Sequence, residues 1–190
     1  MKLLAVLALV VVGAIAAALT ACSPAPAFEI LGSVPQFELT AQDGHPFNSQ
    51  VLAGKIWVAD FIYTTCPGPC PRMTSQMHEV ESALQQVPDV RLVSFTIDPA
   101  TDTPAVLAAY AKEHGASPAN WYFLTGPVST LQMLDRDAFK LGNIDGTLQH
   151  STRFTLVDRQ GRIRGYYDTS DASSIPKVIS DAKALAREQT

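Results

Sequence analysis

Cys66 and Cys70 are the residues most able to do chemistry. They stand with three residues between them in the run Thr64-Thr65-Cys66-Pro67-Gly68-Pro69-Cys70-Pro71. On a helix, side chains at i and i+4 share a face, about 5–6 Å apart at Cβ, and a loop entering a helix N-terminus gives a similar reach. A helix N-terminus also carries partial positive charge and unpaired N–H groups, which favour thiolate over thiol. The pair is therefore expected to be reactive, able to close a disulfide or to bind a soft metal. A purely structural disulfide gains little from closing so short a loop. Dithiol redox enzymes usually place two residues between their cysteines. Three residues suit two sulfurs converging on one ion.

The elements that must position this pair can be read from the apolar pattern. Val34 to Leu39 reads as a strand, and the turn Gln42-Asp43-Gly44 pairs it with a short segment near Phe47. Ile56 to Ile62 is nearly continuous in apolar residues, as a strand covered on both faces should be. The alternating prolines after it forbid a helix interior, but Pro71 suits a first helical turn. Met73, Met77, Val80, Leu84 and Val87 then recur at helical spacing until Pro88. Further on, Arg91 to Ile97 is a strand, and Thr103-Pro104 opens a helix that Gly115 ends. Trp121 to Leu124 is a strand, and Ser129 is expected to cap a helix through Phe139. Thr152 to Val157 and Ile163 to Tyr167 form a hairpin, and Ser174 opens a last helix through Ala186. This order predicts an α/β fold: a three-layer sandwich with a central mixed sheet, helices on both faces and an N-terminal β-hairpin. The cysteines fall where the first central strand hands over to its helix.

A metal would want a third ligand. His45, His78 and His114 read as surface or packing residues; His150 differs, because it sits just before the strand Thr152 to Val157. In a thioredoxin-like sheet the loop before that strand faces the cysteine loop and usually bears a cis-proline. Gln149-His150-Ser151-Thr152 has no proline, and a histidine takes its place. Two thiolates and an imidazole suit Cu(I), and tolerate Cu(II) with an added ligand. Zinc accepts the same set but prefers four protein ligands in structural sites. Among the other residues, Met73, Met77, Trp57 and Trp121 read as core, Asp102 as a helix N-cap, and Arg162 and Arg164 as a solvated strand face. Tyr63 stands beside the cysteine loop and either shields a metal or packs.

At these residues the chain resembles the Sco family of copper proteins, also called SenC. The matching pieces are Asp60 to Pro71, Thr96-Ile97-Asp98-Pro99-Ala100-Thr101-Asp102-Thr103-Pro104, His150-Ser151-Thr152, and Leu156 to Gly165. With their spacing they cover about residues 30 to 187. The resemblance implies a thioredoxin-like fold and copper held by Cys66, Cys70 and His150. It implies delivery of copper to the dinuclear copper site in subunit II of cytochrome c oxidase, or to a similar copper-accepting protein. The alternative is a thiol–disulfide oxidoreductase that keeps the partner's cysteines reduced, so whether the chain is an enzyme stays open. Asp98 matches a family aspartate near the metal loop and is expected to support the site or dock a partner. A peroxidase is a weaker reading, because Tyr63 occupies the position where such enzymes carry a threonine.

The N-terminus points outside the cytoplasm. Lys2 is followed by an apolar or small-residue run, Leu3 to Leu19, and then by Thr20-Ala21-Cys22. This is the pattern of a secretory signal, and Leu19-Thr20-Ala21-Cys22 resembles a bacterial lipobox. The expected organisation is a lipoprotein signal peptide over residues 1–21, a lipidated Cys22 with a short tether to residue 27, and a domain over residues 28–187. An uncleaved helical anchor is the other reading. Both put the domain beside a membrane, facing the periplasm or another extracytoplasmic space. With three cysteines in 190 residues, lipidation of Cys22 leaves one pair. A net charge of -4 without a basic run argues against nucleic acid as a partner.

Overall fold

The computed structural model describes residues 28–188, apart from residues 143, 145, 146, 149 and 150. One eight-stranded mixed sheet runs through the domain. Its strands are β1 (Gly32–Ser33), β2 (Glu38–Ala41), β3 (Pro46–Asn48), β4 (Ile56–Ile62), β5 (Val90–Thr96), β6 (Trp121–Thr125), β7 (Arg153–Val157) and β8 (Arg162–Asp168), in the spatial order β1-β8-β7-β4-β5-β6-β2-β3. The helices are α1 (Pro69–Leu84), α2 (Pro104–Glu113), α3 (Val128–Gln132) and α4 (Ser174–Arg187). β4, β5 and β6 are parallel, and β7 runs antiparallel to β4. The expected hairpin, β2–β3, turns at Gly44 with φ of +82°, and β2 extends the sheet from β6.

β4 lies inside the sheet because six of its seven residues are apolar, leaving neither face to offer water; the exception, Asp60, is buried with the rest. All seven residues are buried. Ile56, Val58 and Ile62 face a core shared with α1, α2 and α4, while Trp57, Ala59 and Phe61 face the opposite core. The second core is aromatic. Phe61 stacks on Phe95 at 5.0 Å between centroids, and Phe139 meets both at 5.5 and 5.7 Å. Burying a side chain of this size contributes about 1.5–3 kcal/mol. The helices thus cover both faces, as the alternating element order requires.

Two local expectations are corrected. Ser129 does not cap the third helix; the chain enters it at Pro127, with no side-chain cap. The helix then widens into a π-helical turn over Met133–Ala138, closed by the i+5 bond from Phe139 N–H to the Leu134 carbonyl at 2.8 Å. Arg164 is not part of a solvated face. Its side chain is 8% exposed and donates to Asp158 Oδ2 at 2.6 Å, with Arg162 Nε on the same oxygen at 2.7 Å. Two strand residues at i and i+2 project to one face, so both guanidiniums reach one carboxylate in the β7–β8 turn.

Candidate metal centre

β4 ends at Ile62, and the parallel ladder to β5 is continued by Ile97 N–H to the Ile62 carbonyl at 2.8 Å. Tyr63 to Gly68 then form the loop into α1. Gly68 precedes the helix with no side-chain cap, and Pro69 and Pro71 occupy its first turn, where a missing N–H costs nothing. Cys66 uses one of the remaining donors: its Sγ accepts from Gly68 N–H at 3.4 Å. Cys66 is 7% exposed and Cys70 is fully buried. Neither is disulfide-bonded. The two side chains are hydrogen-bonded to each other, and the backbone N–H of Tyr63 reaches Cys70. The Tyr63 hydroxyl bonds Cys66, and that bond, burial and the nearby sulfurs push the phenol up to about 12.

The expectation that the helix N-terminus makes Cys70 a ready thiolate is corrected. Burial pushes the Cys70 thiol well up; the Tyr63 N–H opposes this, and the bond with Cys66 and the Asp60 carboxylate add to the rise. A desolvated sulfur with an acidic neighbour keeps its proton until something positive replaces it. Asp60 is fully buried in β4 and shares the strand face of Val58 and Ile62, turned toward α1.

Asp102 is the residue the sequence most misled about. The N-cap of α2 is Thr103, whose side chain accepts from Val106 N–H at 3.4 Å. Asp102 is instead fully buried behind the cysteine loop. Its carboxyl group accepts from Thr64 N–H at 3.2 Å, Thr64 Oγ1 at 2.5 Å and Thr96 Oγ1 at 2.5 Å. Thr96 Oγ1 also accepts from Asp98 N–H at 2.9 Å, and Asp98 O accepts from Asp102 N–H at 2.9 Å. Asp98, half-buried, therefore shares one hydrogen-bonded cluster with Thr64, two residues before Cys66. No helical or strand period signals this; only the meeting of the ends of β4 and β5 creates it.

His150 and Cys22 lie outside the described residues. Among the described residues, no three His, Cys, Asp or Glu side chains cluster as a metal site. The chain close to His150 is nonetheless fixed. Thr152 O accepts from Thr169 N–H at 2.9 Å and Thr169 Oγ1 at 2.7 Å. Thr169 O in turn accepts from Arg72 at 3.2 Å and Gln76 at 3.0 Å. Arg72 is two residues beyond Cys70, so the chain two residues after His150 is tied to the first turns of the cysteine helix. On the other side, Gln132 Nε2 donates to Ile144 O, and Leu141 N–H to Asp135 O at 3.0 Å. The other histidines stand apart: His45 in the hairpin turn, His78 paired with Glu81 at 3.3 Å, and His114 against Tyr110 at 4.3 Å. Met73 and Met77 are fully buried core residues.

The sequence model of one protein family, SCO1/SenC, matches residues 31–187. The chain belongs to the SCO1/SenC family. Solved members share its fold. A SCO1/SenC family lipoprotein from Bacillus anthracis is 33% identical and superposes with a TM-score of 0.76, covering 84% of this chain and 98% of that one. BsSco, described as having a disulfide switch and as a member of the Sco family of cytochrome c oxidase assembly proteins, is 32% identical with a TM-score of 0.75, covering 85% and 98%. Copper-bound ScoI from Bradyrhizobium japonicum is 25% identical with a TM-score of 0.66, covering 80% and 98%. The SCO1/SenC architecture is thus the thioredoxin-like sandwich expected from the sequence.

Proposed function

We propose that this SCO1/SenC protein is an extracytoplasmic copper chaperone, tethered to a membrane through lipid on Cys22. Cys66, Cys70 and His150 hold one copper ion for delivery to the dinuclear copper site of cytochrome c oxidase subunit II. The observation that carries the reading is the pair of hydrogen-bonded sulfurs at the start of α1. Two thiol donors side by side fit a soft ion, and its positive charge supplies what the buried Cys70 lacks for ionisation. The Thr152–Thr169–Arg72 bonds support His150 as third ligand, since two residues span at most about 7 Å. Asp98, joined to the cysteine loop through Thr96 and Asp102, serves as a supporting or docking residue.

What the chain's own residues do is keep two sulfurs adjacent and shielded from water, with the buried Cys70 protonated until the ion arrives. Binding then releases protons, so affinity falls as pH falls. The copper-bound relative supports the metal, the oxidase-assembly relative supports the acceptor class, and the lipoprotein relative supports the anchor. A competition titration of the reduced protein with a Cu(I) chelator tests the assignment. One equivalent should bind, with a large loss in His150→Ala and a larger one in Cys66→Ser. Unchanged affinity in His150→Ala would remove the third ligand.

A second reading rests on the same adjacency. Two neighbouring thiols can reduce a partner disulfide, giving up two electrons and two protons as their own disulfide forms. Retained disulfide reduction in a His150→Ala variant that has lost copper separates this activity from metal transfer.

A further inference from the structure

We propose that the end of the domain opposite the cysteines is a membrane-facing surface that seats on an anionic bilayer. The inference rests on the membrane tether proposed above. The strands fix which end is which. β4 starts at Ile56 and delivers its C-terminus to the cysteine loop, while the β7–β8 turn, Asp158 to Gly161, lies at the start of β4: Gly54 N–H bonds the Arg159 carbonyl at 3.0 Å. Seven residues of β4 separate the two ends by roughly 20 Å.

The tether enters at the far end. Arg164 donates to the Phe28 carbonyl at 2.7 Å and the Glu29 carbonyl at 3.2 Å, its guanidinium sits 5.7 Å from the Phe28 ring centroid, and the same group holds Asp158 of the β7–β8 turn. One guanidinium thus pins the first described residue beside that turn. From a lipidated Cys22 to Phe28 the chain reaches at most about 20 Å, so this end must lie close to the bilayer.

Its surface fits that place. Ile30 and Leu31, directly after the tether, are 55% and 37% exposed, and Val51 is 48% exposed. Val51 flanks a cleft of about 430 Å³ whose apolar lining includes Val34, Phe37, Leu52 and Trp57. The other large exposed apolar side chains among the described residues, Val106 and Val128, stand singly. Arg159 lines the same cleft and reaches the carbonyls of Leu185 and Ala186 at the end of α4, next to exposed Arg187 and Glu188. Lys55 is balanced by Asp89, and Glu29, Asp158 and Glu188 offset all but one of the cations Arg159, Arg162, Arg164 and Arg187. The cysteine end carries Asp98, Asp168 and Asp171 against Arg72 and Arg153. An anionic surface therefore attracts the tether end and repels the cysteine end, while exposed apolar side chains enter the interface. The sulfurs are then presented to an acceptor above the membrane, not at it.

The test uses the full lipidated chain on vesicles of phosphatidylethanolamine with one part in four phosphatidylglycerol. A dansyl amino acid replaces exposed Val51 or, separately, exposed Ala100 at the cysteine end, and lipids brominated on the acyl chains serve as quencher. The probe at 51 should shift to the blue and lose intensity, while the probe at 100 does neither. Arg187→Gln should lower the ratio of seated to unseated domains about fivefold, the worth of one cation at such a surface. Equal quenching at both positions in sedimenting protein, or stronger quenching at 100, would overturn the surface alone. Protein that stays in the supernatant with Cys22 unmodified by mass would overturn the tether, and the surface with it.

Discussion

Replacing Asp102 by alanine should loosen the cysteine loop without touching either sulfur. The carboxyl group is fully buried and serves three donors: Thr64 N–H, Thr64 Oγ1 and Thr96 Oγ1. Each buried donor left without an acceptor costs about 1–3 kcal/mol. The hydroxyls can rotate toward other partners, but the Thr64 N–H cannot, so the loss in Asp102→Ala should be about 3–5 kcal/mol. Asp102→Asn keeps one acceptor oxygen and should lose about half as much. Urea unfolding gives these values by linear extrapolation. The structural claim goes further than stability. In a cycle of Asp102→Ala with Thr96→Val, the two losses should fail to add by about 1–2 kcal/mol, because they break one bond. Alkylation of Cys66 should also speed up in Asp102→Asn under conditions where the variant stays folded. Additive losses, or a loss under about 1 kcal/mol in the alanine variant, would refute the role assigned to this carboxyl group.

Other outcomes follow from the same geometry. Asp158 is held below the usual carboxylate range: burial opposes ionisation, but N–H bonds from Arg162 and Gln160 and both guanidiniums outweigh it. Its stabilisation is complete above about pH 3.9, the unfolded value, and is lost as pH falls through the lower folded value. Asp158→Asn should therefore flatten the acid limb of the stability–pH curve, and at pH 7 should cost about 1.5–3 kcal/mol, because Arg164 loses its charged partner but keeps the Phe28 and Glu29 carbonyls. Burial pushes the Tyr110 phenol up to about 12. A raised acid favours the folded state while protonated, so this contribution holds below about pH 10 and fades as pH rises toward the folded value. Urea midpoints compared at pH 9 and 11 should show that fall, and Tyr110→Phe should reduce it. A Cβ on Gly165 would lie 2.6 Å from the Tyr167 hydroxyl, which is bonded to Asp181 at 2.7 Å. Gly165→Ala should destabilise by about 1–3 kcal/mol in thermal unfolding, since the ring cannot retreat without losing that bond.

Much of the fold was legible because it rests on local periodicity. The β4 run could be read from end to end, since a strand buried on both faces is apolar at six of its seven positions, Asp60 being the exception. The cysteine helix begins at Pro69, two residues earlier than Pro71 alone suggested, because both prolines fit a first turn. The third helix misled at its start: Ser129 has the side chain of a cap, but the chain turns at Pro127, and the π turn beyond it has no sequence period of its own.

By itself, the sequence determined the order of elements and the junction at which two thiols stand, because each follows from spacing within a short stretch, and it determined the family through several short motifs taken together with their spacing along the chain. The tertiary structure alone decided how those thiols behave. Burial raises Cys70 where helix polarity by itself would lower it, and a carboxyl group thirty-two positions further along is what secures the loop. Desolvation and long-range hydrogen bonds depend on which chain segments meet, and no local pattern carries that information.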